Sequence, residues 1–166
     1  MSLSNTINGQ AVRDQLARGR LKKLFPVAQA IGPALLDALD DDNWKVRRNA
    51  LRVLDHAPVA GMESRIIELL QDEEVEVRKW AAHALGCDRC KEGSTLCVDP
   101  VPHLLDAVES DPSIVVRRSA VVCLAWNRPW DARISELMEA LASGAADENI
   151  RFHASSAIRH RTATGA

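Results

Sequence analysis

The chain repeats one short pattern four times: an apolar residue, an arginine directly after it, and an alanine three residues after the arginine. The copies begin at Val46, Val77, Val116 and Ile150. Apolar or small residues follow at offsets 4, 7 and 8, and these positions lie on one face of an α-helix. Four copies within 166 residues predict a stack of similar helical units rather than a globule around one central core.

A second repeated element precedes each copy: two apolar residues, an acid, a small or apolar residue and a further apolar residue. These elements begin at Leu35, Ile66, Leu104 and Leu137. Steps of only 7 to 9 residues lead from the end of this element to the arginine pattern, which indicates a tight turn between antiparallel helices. We call the two elements the first and the second helix of a repeat.

The turns between the two helices are acidic. They contain Asp40, Asp41 and Asp42; Asp72, Glu73 and Glu74; Asp111; and Asp147 with Glu148. Acids at the start of a helix satisfy free N–H groups and suit the positive end of the helix dipole. We also predict that the repeated arginines hydrogen-bond these turn acids, within a repeat or from one repeat to the next. These arginines are Arg47, Arg78, Arg117 and Arg151.

The two elements define the predicted boundaries. The repeats cover residues 33–56, 63–87, 101–126 and 133–161. Residues 1–32 form an N-terminal helical cap, because a repeat array needs an atypical end unit over its apolar face. Within the cap we predict one basic amphipathic helix over residues 10–25, and we expect residues 162–166 to be a frayed tail.

The motif DxxxxVRxxAxxxL after a first helix of this kind resembles HEAT repeats, and the 31-residue step from the first to the second repeat resembles the short phycobilisome-lyase type. The resemblance implies an all-α fold, a short right-handed α-α superhelix of about four helix pairs plus the cap. Such repeats serve scaffolds, lyase and chaperone subunits, a few nucleic-acid enzymes and a hydroxylase. The hydroxylase members carry repeated His-Glu dipeptides, and no histidine here precedes a glutamate.

One insert, residues 87–100, breaks the repeat spacing and contains three of the four cysteines. Cys87-x-x-Cys90 is a zinc-like spacing, and Cys97 offers a third thiolate. Our candidate zinc site is Cys87, Cys90, Cys97 and His103, with His83 as the alternative fourth ligand. Unliganded thiols, a redox pair or a nucleophilic thiol remain open alternatives.

The exposed side of the second helices is the candidate partner-binding surface. Positions that point away from the core face are basic and partly aromatic, so a net charge of −2 conceals a positive strip. The residues of this strip that we assign to partner binding are Arg48, Asn49, Arg52, Lys79, Trp80, His83 and Arg118. Trp80 is the expected anchor. We interpret Trp44, Trp126 and Trp130 as packing between repeats.

The sequence favours a non-catalytic protein–protein interaction module that binds an acidic surface on the concave side of the second helices. The alternatives are a nucleic-acid-backbone binder that uses the same strip, or a metal- or thiol-dependent activity at Cys87, Cys90 and Cys97. No GxGxxG, GxxxxGK[ST], HExxH or GxSxG motif is present, which disfavours an enzyme. Without a secretory signal or an apolar span, we expect a cytoplasmic protein with reduced cysteines, and no membrane partner.

Overall fold

The computed structural model describes residues 8–91, 96–126, 129–145 and 147–164, which contain helices and no β-strand. The α-helices in chain order are α1 Gly9–Ala17, α2 Gly32–Asp37, α3 Trp44–His56, α4 Met62–Glu68, α5 Val75–Gly86, α6 Val101–Ser110, α7 Ile114–Trp126, α8 Ala132–Gly144 and α9 Glu148–Thr164. Short 3-10 turns cover Leu21–Lys23, Phe25–Val27, Ala38–Asp40, Leu69–Gln71 and Asp88–Lys91.

The helices form a stack of pairs, which confirms the predicted all-α repeat superhelix. Each first helix (α2, α4, α6 or α8) packs on the second helix that follows it, and the second helices α3, α5, α7 and α9 pack against one another in order. Helix α1 continues this row by packing against α3. One continuous core of buried side chains runs from Val12 in the cap to Ala157 in α9.

The cap and the C-terminal end differ from the predicted boundaries. Helix α1 ends at Ala17 because Gly19 adopts a left-handed conformation with φ 67°, so the single helix predicted over residues 10–25 was wrong. The N–H groups of Gly19 and Arg20 donate to the carbonyls of Leu16 and Gln15, which closes the helix end. At the other end, α9 continues to Thr164, past the predicted boundary at residue 161.

Arginine–aspartate pairs join successive repeats along the stack. Arg47 donates to both carboxylate oxygens of Asp72 (2.7 and 2.8 Å), and Arg78 donates in the same way to Asp111 (2.8 and 3.3 Å). The prediction that repeated arginines bind turn acids is therefore confirmed for these two. We call the series of pairs the Arg–Asp ladder; its outer members are Arg13 with Asp41 and Arg118 with Asp147.

Each aspartate of the ladder also orders the turn in which it lies. One Asp72 oxygen accepts the N–H of Glu74 at 2.9 Å, and one Asp111 oxygen accepts the N–H of Ser113 at 2.7 Å. Arg78 closes the same unit by donating to the main-chain oxygen of Asp72 at 2.8 Å. Each aspartate thus joins the preceding second helix to the start of the next one.

The ends of the ladder predict an acid-labile fold. Hydrogen bonds from Arg118 lower the pKa of Asp147 to about 2. Burial opposes ionisation of Asp41, yet hydrogen bonds from Arg13 and from the Asn43 N–H bring its pKa below the ordinary value. Both folded-state pKa values lie below the pKa of an aspartate in the unfolded chain, which is about 4. Between these values the unfolded chain therefore binds more protons than the folded chain.

We therefore expect stability to be fully present above about pH 5 and to fall as the pH decreases from there through the folded-state pKa values. Thermal unfolding followed by circular dichroism across this range measures the effect. The variant Asp147→Asn is the control, since it should flatten the lower part of the curve. A melting temperature that stays constant down to about pH 2 would contradict the assignment.

Candidate functional site

A groove lies between the cap and helices α3 and α5, and it contains part of the predicted binding strip. It encloses about 360 Å³ and is lined by Leu21, Lys22, Phe25, Arg52, His56 and Trp80, with Gly19 at its edge. The Arg52 guanidinium lies 5.1 Å from the centre of the Trp80 ring, and the Phe25 and His56 rings meet edge to face at 5.6 Å. We call this the cap groove.

The cap groove combines aromatic surface with positive charge. Lys22 is exposed and Arg52 and Trp80 are partly exposed, so cation and ring face the same space. Among the residues that the structure describes, no carboxylate lines the groove. Such a surface suits a ligand that presents both an apolar side chain and a negative group.

Three residues of the predicted strip have structural partners. Asn49 is only 1% exposed and donates to the Leu16 carbonyl at 2.7 Å, so its assignment to partner binding was wrong. Arg118 belongs to the Arg–Asp ladder through Asp147. Lys79 remains partly exposed and is paired with Glu76 at 2.9 Å within its own helix.

The remaining strip residues, Arg48 and His83, do not line the groove. Arg48 lies over the Trp44 ring at 5.0 Å, and His83 meets Trp80 edge to face at 5.3 Å. Sequence reasoning did not assign the cap residues Lys22 and Phe25, or His56 at the end of α3, to a binding site, because they lie outside the repeated strip. The signal available was the basic, aromatic composition of residues 18–25, which we had assigned to capping alone.

The other tryptophans mostly connect repeats, as expected. The Trp126 indole N–H donates to Nδ1 of His153 at 3.4 Å, and Trp130 donates to the Ala125 carbonyl at 3.2 Å while Arg161 covers its ring. Both residues thus link the third and fourth repeats. Trp44 is partly buried against the core and lies under two cations of its own helix.

A second site brings together four possible metal ligands. The side-chain ligand atoms of Asp55, His83, Cys87 and Cys90 all lie within 4.8 Å of one another. His83 and Cys87 are one helical turn apart at the end of α5, Cys90 is in the following 3-10 turn, and Asp55 is near the end of α3. The two sulfur atoms are 3.0 Å apart, and Sγ of Cys90 is 3.6 Å from Nε2 of His83.

This arrangement differs from the ligand set predicted from the sequence. Cys87 and Cys90 belong to the cluster and His83, the alternative ligand, joins them, whereas Cys97 and His103 lie outside it. Cys97 is exposed, and its main-chain N–H donates to Glu63. His103 lines a separate pocket beside Asp111.

Buried charge surrounds the cluster. The Asp55 side chain is fully buried, and neither of its oxygens makes a hydrogen bond within the described part of the chain. The ammonium of Lys91, also fully buried, lies 3.8 Å from Asp55 and donates to the Cys87 carbonyl at 2.8 Å. Burial and the hydrogen bond with Cys87 raise the pKa of Cys90 to about 12, which disfavours a nucleophilic thiolate in the metal-free chain.

Asp55 was missed in the sequence because only the turn acids received a role. A signal was present: the equivalent positions in the second and third repeats are Gly86 and Ala125. A buried acid at a position that is small and buried in these two repeats costs free energy unless it has a binding partner.

Comparisons with known proteins agree with the fold. Residues 32–94 match the family described as HEAT repeats. An 88-residue stretch is 30% identical to the Hsp70 nucleotide exchange factor FES1 of Coccidioides immitis (strain RS); it spans 51% of this chain and 42% of that relative. A designed armadillo repeat protein in complex with the peptide (KR)4 superposes with a TM-score of 0.58 at 20% identity, over 95% of this chain and 77% of that one.

None of these matches points to the phycobilisome-lyase type. Among the described residues, no helix has the length and apolar character needed to cross a membrane.

Proposed function

We propose that this chain, which belongs to the HEAT repeat family, is a non-catalytic module that binds an acidic segment of a protein partner in the cap groove. The observation that carries the proposal is the placement of Lys22, Arg52 and Trp80 around one groove that has no carboxylate among its described lining residues. A Trp with adjacent cations is a typical anchor of a protein interface. The expected cytoplasmic location belongs to the same proposal.

The comparisons support a partner-binding role in general terms. One relative is an Hsp70 nucleotide exchange factor, and the similar designed protein holds a peptide. The peptide in that complex is basic, whereas the cap groove is positive and favours carboxylates. Because the chain spans less than half of the relative's length, an Hsp70 protein is a partner to be tested along with acidic peptides.

A selection experiment tests the groove and the sign of its ligand. A displayed random-peptide library is selected on the wild-type chain and counter-selected on the double variant Arg52→Glu, Trp80→Ala. We expect enriched peptides to carry Asp or Glu beside an apolar residue, and the double variant to bind them at least about thirtyfold more weakly. Arg159→Glu, a charge reversal of equal size on α9, is the control and should bind normally.

The same preparations separate this function from its alternatives. Purified Hsp70 and duplex and single-stranded DNA are added as further probes at low salt. Enrichment of basic peptides, or peptide binding that survives in the double variant, would contradict the proposed groove. Binding to DNA that falls steeply with salt and no selection of peptides would favour a nucleic-acid-backbone binder instead.

A further inference from the structure

We propose that Asp55, His83, Cys87 and Cys90 form a four-ligand zinc site that connects the first two repeats. The site differs from the ligand set that the cysteine spacing alone suggests, because its carboxylate comes from α3, more than thirty residues before the cysteines. It is separate from the proposed partner binding, which uses the cap groove.

Two of the distances between ligand atoms already fit a tetrahedral zinc ion. Zinc bonds of about 2.3 Å to sulfur and about 2.0–2.1 Å to nitrogen and oxygen require a sulfur–nitrogen separation near 3.5 Å and a nitrogen–oxygen separation near 3.4 Å. The separation of Cys90 Sγ from His83 Nε2 is 3.6 Å, and that of His83 Nε2 from Asp55 Oδ2 is 3.4 Å. Both separations involve His83, and the Cys90 sulfur and the Asp55 carboxylate also lie within 4.8 Å of each other.

The distance between the sulfur atoms needs a small adjustment. Two thiolates on one zinc ion lie about 3.8 Å apart, against 3.0 Å between Cys87 and Cys90. A disulfide requires about 2.05 Å, so the present separation fits neither state fully. Because Cys90 is in a short 3-10 turn rather than in α5, a movement of its side chain can open the pair.

The negative charge of the ligands favours a bound cation. Asp55 is fully buried, and within the described part of the chain its oxygens make no hydrogen bond, which is costly for a carboxylate. Two thiolates, the Asp55 carboxylate, one Zn²⁺ and the buried Lys91 ammonium sum to zero charge. The lysine thus balances the single excess negative charge that these ligands leave on zinc.

The donor set favours zinc over other common ions. Thiolate and imidazole are poor ligands for Mg²⁺ and Ca²⁺, which prefer oxygen. Four protein ligands complete a tetrahedral zinc ion and leave no open position, so the site is structural rather than catalytic. The ion would fix the end of α3 to the end of α5 and to the turn Asp88–Lys91.

Zinc and cobalt(II) titrations test the site. The full chain is reduced, treated with a chelator, exchanged into metal-free buffer and titrated with Zn²⁺ in the presence of a competing chromophoric chelator. We expect one equivalent to bind and the melting temperature to rise. Cobalt(II) should give the absorption of a tetrahedral ion with sulfur ligands, and the fluorescence of Trp80, which contacts His83, should change with it.

Variants distinguish this ligand set from the alternatives. Cys90→Ser and Asp55→Asn should each weaken zinc binding by more than about a hundredfold, beyond the effect expected of an outer-shell residue. Cys97→Ser and His103→Gln are matched controls and should bind zinc like the wild type. Since Asp55→Asn alters a buried group, Cys90→Ser, at a partly exposed position, provides the result if the former does not fold.

Three results would overturn the proposal. The first is less than about half an equivalent of zinc bound by the reduced wild type. The second is a loss of binding in Cys97→Ser or His103→Gln that equals the loss in Cys90→Ser. The third is a Cys87–Cys90 disulfide, shown by mass spectrometry, that forms equally fast with and without zinc.

Discussion

Replacing Asp72 with alanine is expected to lower the free energy of unfolding by about 3–5 kcal/mol, because it leaves a buried arginine without its counter-ion. The side chains of Arg47 and Asp72 are 9% and 5% exposed. Asp72 accepts two hydrogen bonds from Arg47 and one from the Glu74 N–H, and all three are lost together. Chemical denaturation followed by far-UV circular dichroism measures the change.

Glu73→Ala is the matched control for this substitution. Glu73 neighbours Asp72, approaches the same arginine at 3.7 Å and carries the same charge, yet its side chain is 83% exposed. An exposed ion pair contributes only about 0–1 kcal/mol, so this variant should unfold almost like the wild type. Equal losses in the two variants would show that the Arg–Asp ladder does not stabilise the stack.

The second large effect is expected from Gly86→Ala, where the end of α5 lies close against Cys123 of α7. A Cβ atom at residue 86 would lie 2.4 Å from Cβ of Cys123 and 3.0 Å from a Leu104 methyl group. The first of these atoms is fixed to the backbone, so the two helices must move apart. We expect a loss of about 1–3 kcal/mol from this overpacking, despite the better helix propensity of alanine.

Gly144→Ala provides the control, because Gly144 is also the last residue of its helix and a Cβ there meets no atom of the described residues within 4 Å. This variant should keep its stability or gain up to about 1 kcal/mol. Denaturation curves of the two alanine variants are compared directly. If both gain stability, the contact between α5 and α7 is looser than the structure indicates.

The ladder shows how far the sequence pattern could predict the structure. In the regular turns before α5 and α7, Asp72 and Asp111 come five residues before the apolar start of the repeated pattern. The prediction that repeated arginines bind these aspartates was correct, since Arg47 binds Asp72 and Arg78 binds Asp111. Asp147 comes only three residues before Ile150. The arginine that reaches it is Arg118, one position after the repeated one, while Arg117 donates to the Asp111 carbonyl.

The candidate sites were less predictable because their residues come from separate repeats. Helical periodicity predicts which face of a helix a side chain occupies. It does not predict which residues of a turn or of the cap pack next to that side chain. Cys87 and Cys90 were found by their spacing, whereas Asp55 joins them only through the packing of α3 against α5. Phe25 reaches the cap groove because Gly19 ends α1 early and turns the chain towards Trp80.

Each ladder aspartate both binds an arginine of the preceding unit and orders the turn of its own unit, and this makes the number of units in the stack adjustable. A helix pair whose turn carries an aspartate and whose second helix carries the matching arginine accepts a bond from the unit before it and offers one to the unit after it. Such a pair duplicated between α5 and α6 would re-form the ladder bond at both junctions, since Arg78 would reach the new aspartate and the new arginine would reach Asp111. The array can therefore grow or shorten by whole units while the cap, and the groove beside it, stay unchanged.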